Sequence, residues 1–281
     1  MEVSIIGTGN MATGIAHVFS IASHISKVNV IGRSEAKSIL VKTKCSESFD
    51  KLTRKKKIDE SAAMQAISKI ECSSLLSDVQ DSELIIEAIS EDHSIKLGMF
   101  ELLATYVNKS TIVATNTSSL SITAFANVLP YPENVVGLHF FNPAPVMELV
   151  EVIEGFQTSN TVVDKMVQLT KRLRKSPVVV QEAPGFVVNR MLIPMINEAI
   201  CILAEGVATP IDIDKAMKLG AHHPMGPLAL ADLIGNDVNL SIMETLYSET
   251  GDSKYRPHPL LRKMVRANHL GRKTRRGFFE Y

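Results

Sequence analysis

Tryptophan is absent from the sequence, cysteine is rare, and neither sign of charge is in excess. The three cysteines, Cys45, Cys72 and Cys201, lie far apart and form no CxxC pair, so we expect reduced thiols rather than a disulfide framework. Thirty basic residues balance thirty acidic residues. A chain with this balance has no overall field for polyanions, so we expect neither nucleic acid nor membrane as a partner.

Long apolar runs are missing as well. No hydrophobic stretch approaches the length that crosses a bilayer. The first apolar strand begins at Val3 with no charged leader before it, which predicts a cytoplasmic protein. Hydrophobic residues still make up 45% of the 281 residues. A chain of this size and composition can bury a large core, and two domains are favoured over one.

The first two thirds of the chain alternate short apolar runs with helical patterns. This alternation predicts a doubly wound, mostly parallel sheet, as in a Rossmann-type α/β domain. The strands are predicted at residues 3–6, 28–31, 84–88, 111–115, 135–140, 147–153 and 178–181, with a helix at 93–107.

The pattern changes at Pro184-Gly185, after which only helices are predicted. They span residues 186–205, 210–219, 227–249 and 259–269. The first is apolar almost all round, which predicts burial on several sides. Thr209 is expected to cap the second helix and Gly220 to end it in the C′ position. The predicted organisation is therefore a Rossmann-type domain of residues 1–183 and an all-helical domain of residues 184–281.

A glycine-rich turn follows the first predicted strand. Gly7, Gly9 and Ala12 fit the pattern G-x-G-x-x-G/A, which lets the chain turn tightly and lets backbone approach a pyrophosphate at a helix N-terminus. The turn follows a strand, opens a helix and is followed by a second strand at the expected distance. We therefore expect a nicotinamide dinucleotide here, contacted by Gly7, Gly9, Asn10, Met11 and Ala12.

The end of the second strand bears on the choice between NAD(H) and NADP(H). NAD-binding units usually place an Asp or Glu there to accept hydrogen bonds from the ribose 2′-hydroxyl. This sequence has Gly32 instead, followed by Arg33 and Ser34. Arg33 could pair with a 2′-phosphate, although a surface arginine with no ligand fits the same pattern. NADP(H) is therefore favoured, and NAD(H) remains the alternative.

Several blocks of the sequence resemble the 3-hydroxyacyl-CoA dehydrogenase family, and the resemblance covers essentially the whole chain. They include N-T-S-S-L around Ser118, G-L-H-F-F-N-P around His139 and P-G-F-V-V-N-R around Asn189. The matching blocks span residues 7–16, 116–120, 137–143, 147–153, 184–190, 216–227, 271–274 and 277–278. The resemblance implies hydride transfer between a nicotinamide cofactor and the C3 hydroxyl or keto group of a 3-hydroxyacyl-CoA, such as 3-hydroxybutyryl-CoA.

A His–Glu pair agrees with this chemistry. Oxidation of an alcohol needs a base for the hydroxyl proton, and histidine suits that task near neutral pH. His139 ends one predicted strand and Glu151 lies on the next, so a carboxylate could orient the imidazole. The resemblance implies that His139 is the general acid and base and that Glu151 is its partner. It also implies that Ser118 and Asn189 hold the oxygen atoms of the substrate.

The resemblance implies further contacts and an assembly. Cofactor contacts are implied at Glu91, Lys96, Asn142 and Lys273. Contacts to the thioester carrier are implied at Ser48 and Lys55, where a solvated charged face is the simpler reading. The family also dimerises through its helical domain, which predicts a homodimer. His222 and His223 are adjacent and point apart, and no metal motif accompanies them, so no metal is expected.

Two alternatives accompany this reading. The first is a dehydrogenase that acts on a hydroxyacyl group tethered to an acyl carrier protein in the biosynthesis of extender units. The second is a non-catalytic dinucleotide-binding or crystallin-like structural protein. Loss of His139, Glu151 or Ser118 would favour the second, and all three residues are present.

Overall fold

A computed structural model describes every residue from Met1 to Tyr281 and divides the chain into two compact units, Met1–Ala183 and Pro184–Tyr281. The first unit contains a single eight-stranded sheet flanked by helices, and the second is built from helices. None of the helices is both long and apolar enough to span a membrane.

The sheet has the doubly wound order β3-β2-β1-β4-β5-β6-β7-β8. Its strands are β1 (Glu2–Ile6), β2 (Lys27–Ile31), β3 (Ile70–Ser73), β4 (Leu84–Glu87), β5 (Ile112–Thr115), β6 (Val135–Phe140), β7 (Leu149–Glu154) and β8 (Ser176–Gln181). Every neighbouring pair is parallel except β6 and β7, which are antiparallel. The predicted Rossmann-type, mostly parallel sheet is confirmed.

Eleven α-helices accompany the sheet, six in the first unit and five in the second. Those of the first unit are α1 (Asn10–Ile21), α2 (Glu35–Arg54), α3 (Glu60–Ser68), α4 (His93–Leu103), α5 (Ile122–Ala126) and α6 (Asn160–Arg172). Those of the second unit are α7 (Val188–Ala204), α8 (Pro210–Gly220), α9 (Pro227–Ile234), α10 (Asn236–Thr250) and α11 (Pro259–Arg266). The predicted helical C-terminal domain is confirmed.

The direction of the strand order reverses between β1 and β4. Proteins with doubly wound sheets bind their ligands in the crevice beyond the carboxyl ends of the strands at such a reversal. Here the carboxyl ends of β1 and β4 are Ile6 and Glu87, which pair directly. Strands β1, β2 and β4 to β7 are almost entirely buried, which is why they appear in the sequence as apolar runs, whereas the edge strands β3 and β8 are partly exposed.

Strand β3 was missing from the sequence prediction. Its four residues read Ile-Glu-Cys-Ser, and only Ile70 is buried. A strand at the sheet edge with one apolar residue has neither an apolar run nor a clear alternation. It is fixed instead by pairing with β2, where Ile70 lies beside Val28.

Two expectations for the helical unit were wrong. The helix predicted over 227–249 is two helices, α9 and α10, because Gly235 adopts a φ of 107° between them. Gly220 is not a C′ residue but the last residue of α8, and His222 instead adopts the left-handed conformation with a φ of 54°. The cap at Thr209 is confirmed, since its hydroxyl accepts a hydrogen bond from the amide of Asp212 at 3.2 Å.

The core of the second unit forms where α7 packs on α9, α10 and α11. Ile193, Ile196 and Ile200 are buried on one face of α7. Burial of α7 is not all-round, however, because Met191 is 73% exposed within this chain.

Candidate active site

His139 and Glu151 form the central pair of the site. They lie directly opposite each other in the antiparallel register of β6 and β7, so their side chains share one face of the sheet. Nδ1 of His139 is 2.8 Å from Oε2 of Glu151. Both side chains are buried, with 7% and 1% of their surface exposed. A carboxylate in this position holds the imidazole ring in place and stabilises its protonated form.

Ser118 lies in the turn after β5, on the same carboxyl edge of the sheet as His139. Asn116 fixes this turn to β6, because its Oδ1 accepts a hydrogen bond from the amide of Phe140 at 2.9 Å. Ser118 is half-buried, and both its amide and its hydroxyl donate to Oε1 of Glu91, at 2.7 Å and 2.9 Å. The structure thus brings Ser118 and Glu91 together at the predicted site.

Glu91 is an ionised acceptor in this arrangement. Desolvation by itself would raise the pKa of Glu91, but the Lys96 ammonium and hydrogen bonds from Thr117 and Ser118 together hold that pKa below its ordinary value. The Thr117 hydroxyl donates at 2.6 Å. Three donors therefore converge on one carboxylate oxygen of Glu91.

Lys96 lies deeper than the sequence reading anticipated. Its side chain is 1% exposed, and its Nζ is 2.6 Å from Oε1 of Glu87 and 3.3 Å from Oε2 of Glu91. In this conformation the amine offers little surface to a ligand. Its role as a cofactor contact stays a prediction, while its ion pair with the fully buried Glu87 is a feature that the sequence reading missed.

The glycine-rich turn fits a dinucleotide. Gly7 has a φ of 134°, and a Cβ there would lie 2.4 Å from the carbonyl oxygen of Ala88, so only glycine allows this approach of β1 to β4. Gly9 caps α1 with no atom within 4 Å of where its Cβ would be, which leaves open space at the helix N-terminus. Ala12 is fully buried in the core beneath. Free amide groups beside open space are what a pyrophosphate needs.

A cleft of about 870 Å³ opens in front of this turn. Its lining includes the turn from Gly7 to Met11 and apolar side chains such as Leu40, Ile95 and Leu102. Its charged lining residues are Arg33 and Lys37, and no Asp or Glu lines it. Both cations are exposed, and neither forms an ion pair. Sequence reasoning missed Lys37, which comes to the cleft from the first turn of α2.

Gly32 is tightly surrounded. A Cβ there would lie 2.5 Å from Oγ of Ser38 and 2.7 Å from Cγ2 of Thr8. A carboxylate at this position would therefore have to displace both neighbours. The local packing around Gly32 is therefore consistent with the absence of an acidic residue at the end of β2.

The remaining predicted contacts of the first unit are Asn142 after β6 and Ser48 and Lys55 at α2. Asn142 is exposed in the loop after β6, where Lys175 donates to the carbonyl oxygens of Ala144 and Met147, both at 2.7 Å. Ser48 lies half-buried on α2, and Lys55 is exposed at the C-terminal end of that helix. The roles of Asn142, Ser48 and Lys55 stay predictions.

Asn189 and Lys273 belong to the second unit. Asn189 lies in the first turn of α7. Nζ of Lys273 is 2.5 Å from Oδ1 of Asp237, close to Gly235 between α9 and α10. The roles of both residues at a substrate or cofactor stay predictions.

The two units match two family models in order. Residues 2–183 match the NAD binding domain of 3-hydroxyacyl-CoA dehydrogenase, and residues 185–281 match the C-terminal domain of the same enzyme. The chain belongs to the 3-hydroxyacyl-CoA dehydrogenase family. It is accordingly an oxidoreductase that acts on the CH–OH group of a 3-hydroxyacyl-CoA with a nicotinamide cofactor.

Individual relatives of this dehydrogenase agree along its whole length. It is 50% identical to 3-hydroxybutyryl-CoA dehydrogenase of Clostridioides difficile, covering 100% of this chain and 99% of the relative. It is 39% identical to the human mitochondrial hydroxyacyl-coenzyme A dehydrogenase, covering 100% of this chain and 91% of that one. The crystal structure of (S)-3-hydroxybutyryl-CoA dehydrogenase from Ralstonia eutropha superposes with a TM-score of 0.96 at 44% identity, covering 100% and 98% of the two chains.

Proposed function

We propose that this chain is an NADP(H)-preferring 3-hydroxybutyryl-CoA dehydrogenase in which His139 and Glu151 are the acid–base pair. The observation that carries the proposal is the buried contact of 2.8 Å between Nδ1 of His139 and Oε2 of Glu151. It supports a histidine whose ring is held by one nitrogen and transfers a proton at the other.

The proposed chemistry is a hydride transfer coupled to a proton transfer. The bound nicotinamide supplies the hydride acceptor in oxidation and the hydride donor in reduction. In oxidation, Nε2 of His139 takes the proton from the C3 hydroxyl as the C3–H bond breaks, and the imidazolium that forms is stabilised by Glu151. Ser118 contacts the C3 oxygen through its hydroxyl. In reduction the same proton returns from His139 to that oxygen.

Arg33 and Lys37 support a preference for NADP(H). They line the cleft in which no carboxylate is available to accept a hydrogen bond from a ribose 2′-hydroxyl or to repel a 2′-phosphate. Two unpaired cations beside the end of β2 suit a phosphate dianion. A partly exposed cation–phosphate pair contributes about 1–2 kcal/mol, equivalent to roughly 5–30-fold discrimination.

The cofactor proposal is tested with alanine variants of Arg33 and Lys37. Each variant should raise KM for NADPH and leave KM for NADH nearly unchanged. Lys44→Ala is the matched control, because Lys44 is another exposed cation of α2 that does not line the cleft. An NADPH preference that persists in the Arg33→Ala/Lys37→Ala double variant would refute the assignment. Gly32→Asp is a poorer test, since its Cβ collides with Ser38 and Thr8.

The proposed substrate is a four-carbon acyl-CoA, because the relatives from Clostridioides difficile and Ralstonia eutropha are named 3-hydroxybutyryl-CoA dehydrogenases. An acyl group on a carrier protein is the second candidate, favoured by the exposed basic residues Lys55, Lys56 and Lys57 after α2. Initial rates with acetoacetyl-CoA and with an acetoacetyl carrier protein separate the two. Efficient turnover of the carrier substrate alone would overturn the acyl-CoA proposal.

A homodimer is the proposed assembly. Met191, Val207, Ile211 and Leu219 are each more than two thirds exposed in the helical unit. Large apolar side chains on the surface of an isolated chain are frequently covered by a partner. Sedimentation at micromolar concentration should give twice the chain mass of 30.8 kDa. A stable monomer under these conditions would contradict the proposal.

A further inference from the structure

A buried carboxylate lies one layer beneath the proposed site. Glu87 ends β4 and is fully buried. Its Oε1 accepts hydrogen bonds from the Lys96 ammonium at 2.6 Å and from the Ile89 amide at 2.7 Å. Its Oε2 accepts from the Thr115 hydroxyl at 2.6 Å. The carboxylate is thus held by donors from the turn after β4, from α4 and from β5, and it has no exposed surface with which to touch a substrate.

The ion pair continues towards the surface. Lys96 is shared, since its Nζ also lies 3.3 Å from Oε2 of Glu91, whose side chain is 33% exposed. Oε1 of Glu91 accepts hydrogen bonds from the hydroxyl of Thr117 and from the amide and the hydroxyl of Ser118. One continuous line of contacts therefore runs from Thr115 through Glu87, Lys96 and Glu91 to the hydroxyl of Ser118.

Simple pairing does not explain this arrangement. Burying a charge is costly unless a partner offsets it, and one lysine already neutralises one carboxylate. Here two carboxylates share one lysine. Glu87 fixes the Lys96 ammonium from the buried side, and the same ammonium contacts Glu91 on the side towards the surface. A flexible lysine side chain gains a defined position only when its ammonium is anchored in this way.

We propose that Glu87 is a positioning residue, which anchors the Lys96 ammonium against Glu91 so that Glu91 holds Ser118, through its amide and its hydroxyl, in place beside the substrate oxygen. This inference rests on the proposed role of Ser118. Glu91 faces the Lys96 side chain of α4, and the other partner of Lys96 is Glu87 of β4. Thr117 and Ser118 contribute neutral donors from the turn after β5.

The test is a double-mutant cycle of Glu87→Gln and Lys96→Met. Each single variant should lower kcat about tenfold or more with a smaller change in KM for acetoacetyl-CoA, because misplacing a group by about 1 Å can cost up to ~10²-fold. Because Glu87 acts through Lys96, the double variant should lose no more than Lys96→Met alone. Full additivity of the two losses would refute the proposal.

A pH profile separates positioning from stability. Without Lys96, only the hydrogen bonds from Thr117 and Ser118 oppose the effect of desolvation, so the pKa of Glu91 rises and the acid limb of kcat in Lys96→Met should move to higher pH. The shift should vanish in Glu91→Gln/Lys96→Met, which has no carboxyl group at that position. An acid limb of Lys96→Met that coincides with the wild-type limb would count against the proposal.

Two further variants keep the test decisive. Thr115→Val removes the hydroxyl that donates to Oε2 of Glu87. If Glu87→Gln does not fold, the same kinetic measurements on Thr115→Val test the role of Glu87. Ser82→Ala is its matched control, because it removes a buried hydroxyl contact of 2.7 Å to Ser4 in the same sheet. Ser82→Ala should lower the melting temperature without changing kcat. If Thr115→Val or Glu87→Gln behaves like Ser82→Ala, Glu87 is only structural and the proposal fails.

Failure of the underlying assignment has its own signature. Ser118→Ala with wild-type kinetics would refute the role of Ser118 at the substrate, on which this inference rests. Ser118→Ala that is defective while Glu87→Gln is normal would refute the positioning role of Glu87 alone.

Discussion

His139 and Glu151 face each other across β6 and β7, with Nδ1 of the histidine 2.8 Å from Oε2 of the glutamate and both side chains buried. The relationship depends on the one antiparallel pair in the sheet, because that register places the two residues directly opposite each other. The register of β6 and β7 therefore creates the proposed acid–base pair.

His139→Gln should abolish turnover while dinucleotide binding stays near the wild-type level. General acid–base help contributes about 10²–10⁴ in rate, and glutamine cannot take up the proton. Initial rates with acetoacetyl-CoA and a direct titration of the reduced cofactor provide the two measurements. Near-normal kcat in this variant would remove His139 from the mechanism.

Glu151→Gln should lower kcat by about 10²–10⁴, because the imidazolium that forms during proton transfer loses its anion and the ring loses its fixed tautomer. Glu151→Asp should recover part of the loss, since it keeps the charge at a longer distance from Nδ1. Single-turnover rates measure the chemical step directly. Equal rates for Glu151→Gln and the wild type would show that the pair is structural.

His17 makes the stability of the first unit depend on pH. Burial, with a smaller effect of the Lys175 ammonium, lowers the pKa of His17 to about 4. The unfolded chain takes up a proton at the ordinary pKa near 6.5, whereas the folded chain resists it until about pH 4. Stability is therefore lost as pH falls through this window, by up to ~3 kcal/mol.

Urea unfolding followed by circular dichroism between pH 7 and pH 4 measures this effect. His17 stacks on Phe49 with ring centroids 4.1 Å apart, so His17→Phe can keep the stacking and should show a flatter pH dependence. His269→Gln, a partly exposed histidine of the second unit, serves as the control. An unchanged slope in His17→Phe would contradict the assignment.

Asp232 holds the C-terminal residues of the helical unit. Its buried carboxylate accepts hydrogen bonds from the amides of Phe278 and Phe279 at 3.0 Å and 2.9 Å and from the hydroxyl of Tyr281 at 3.2 Å. Asp232→Ala leaves these donors without their acceptor and should cost about 2–4 kcal/mol in the free energy of unfolding. Asp252→Ala, at an exposed ion pair with Lys254, is the control. Equal melting temperatures for the two variants would disprove this role.

The sequence predicted the features whose signals are local. Strands buried within the sheet appeared as apolar runs, and Gly7 and Gly9 marked the turn at the first strand. The resemblance to one family added His139, Glu151 and Ser118. The sequence did not predict strand β3, because that strand is fixed by its pairing with β2 at the sheet edge. It did not predict the break at Gly235, because the break depends on the backbone conformation of one residue.

Residues that meet only in three dimensions were the hardest to find. Glu87 stood within an apolar run, and its one signal was a lone carboxylate at the end of a buried strand. The spacing of Thr115 and Lys96 in the sequence did not indicate that both would contact the Glu87 carboxylate. Lys37 was missed for the same reason. Helix α2 carries several lysines, and only its path along the cleft determines which of them line the cleft.

Initial rates of acetoacetyl-CoA reduction by the wild-type protein, with NADPH and NADH measured in parallel, test the proposed reaction and cofactor preference most directly. Both reactions should depend on acetoacetyl-CoA, and kcat/KM should be about 5–30-fold higher for NADPH. A tenfold preference for NADH would show that Arg33 and Lys37 hold no phosphate. If acetoacetyl-CoA stimulates oxidation of neither cofactor, the proposed reaction itself is contradicted.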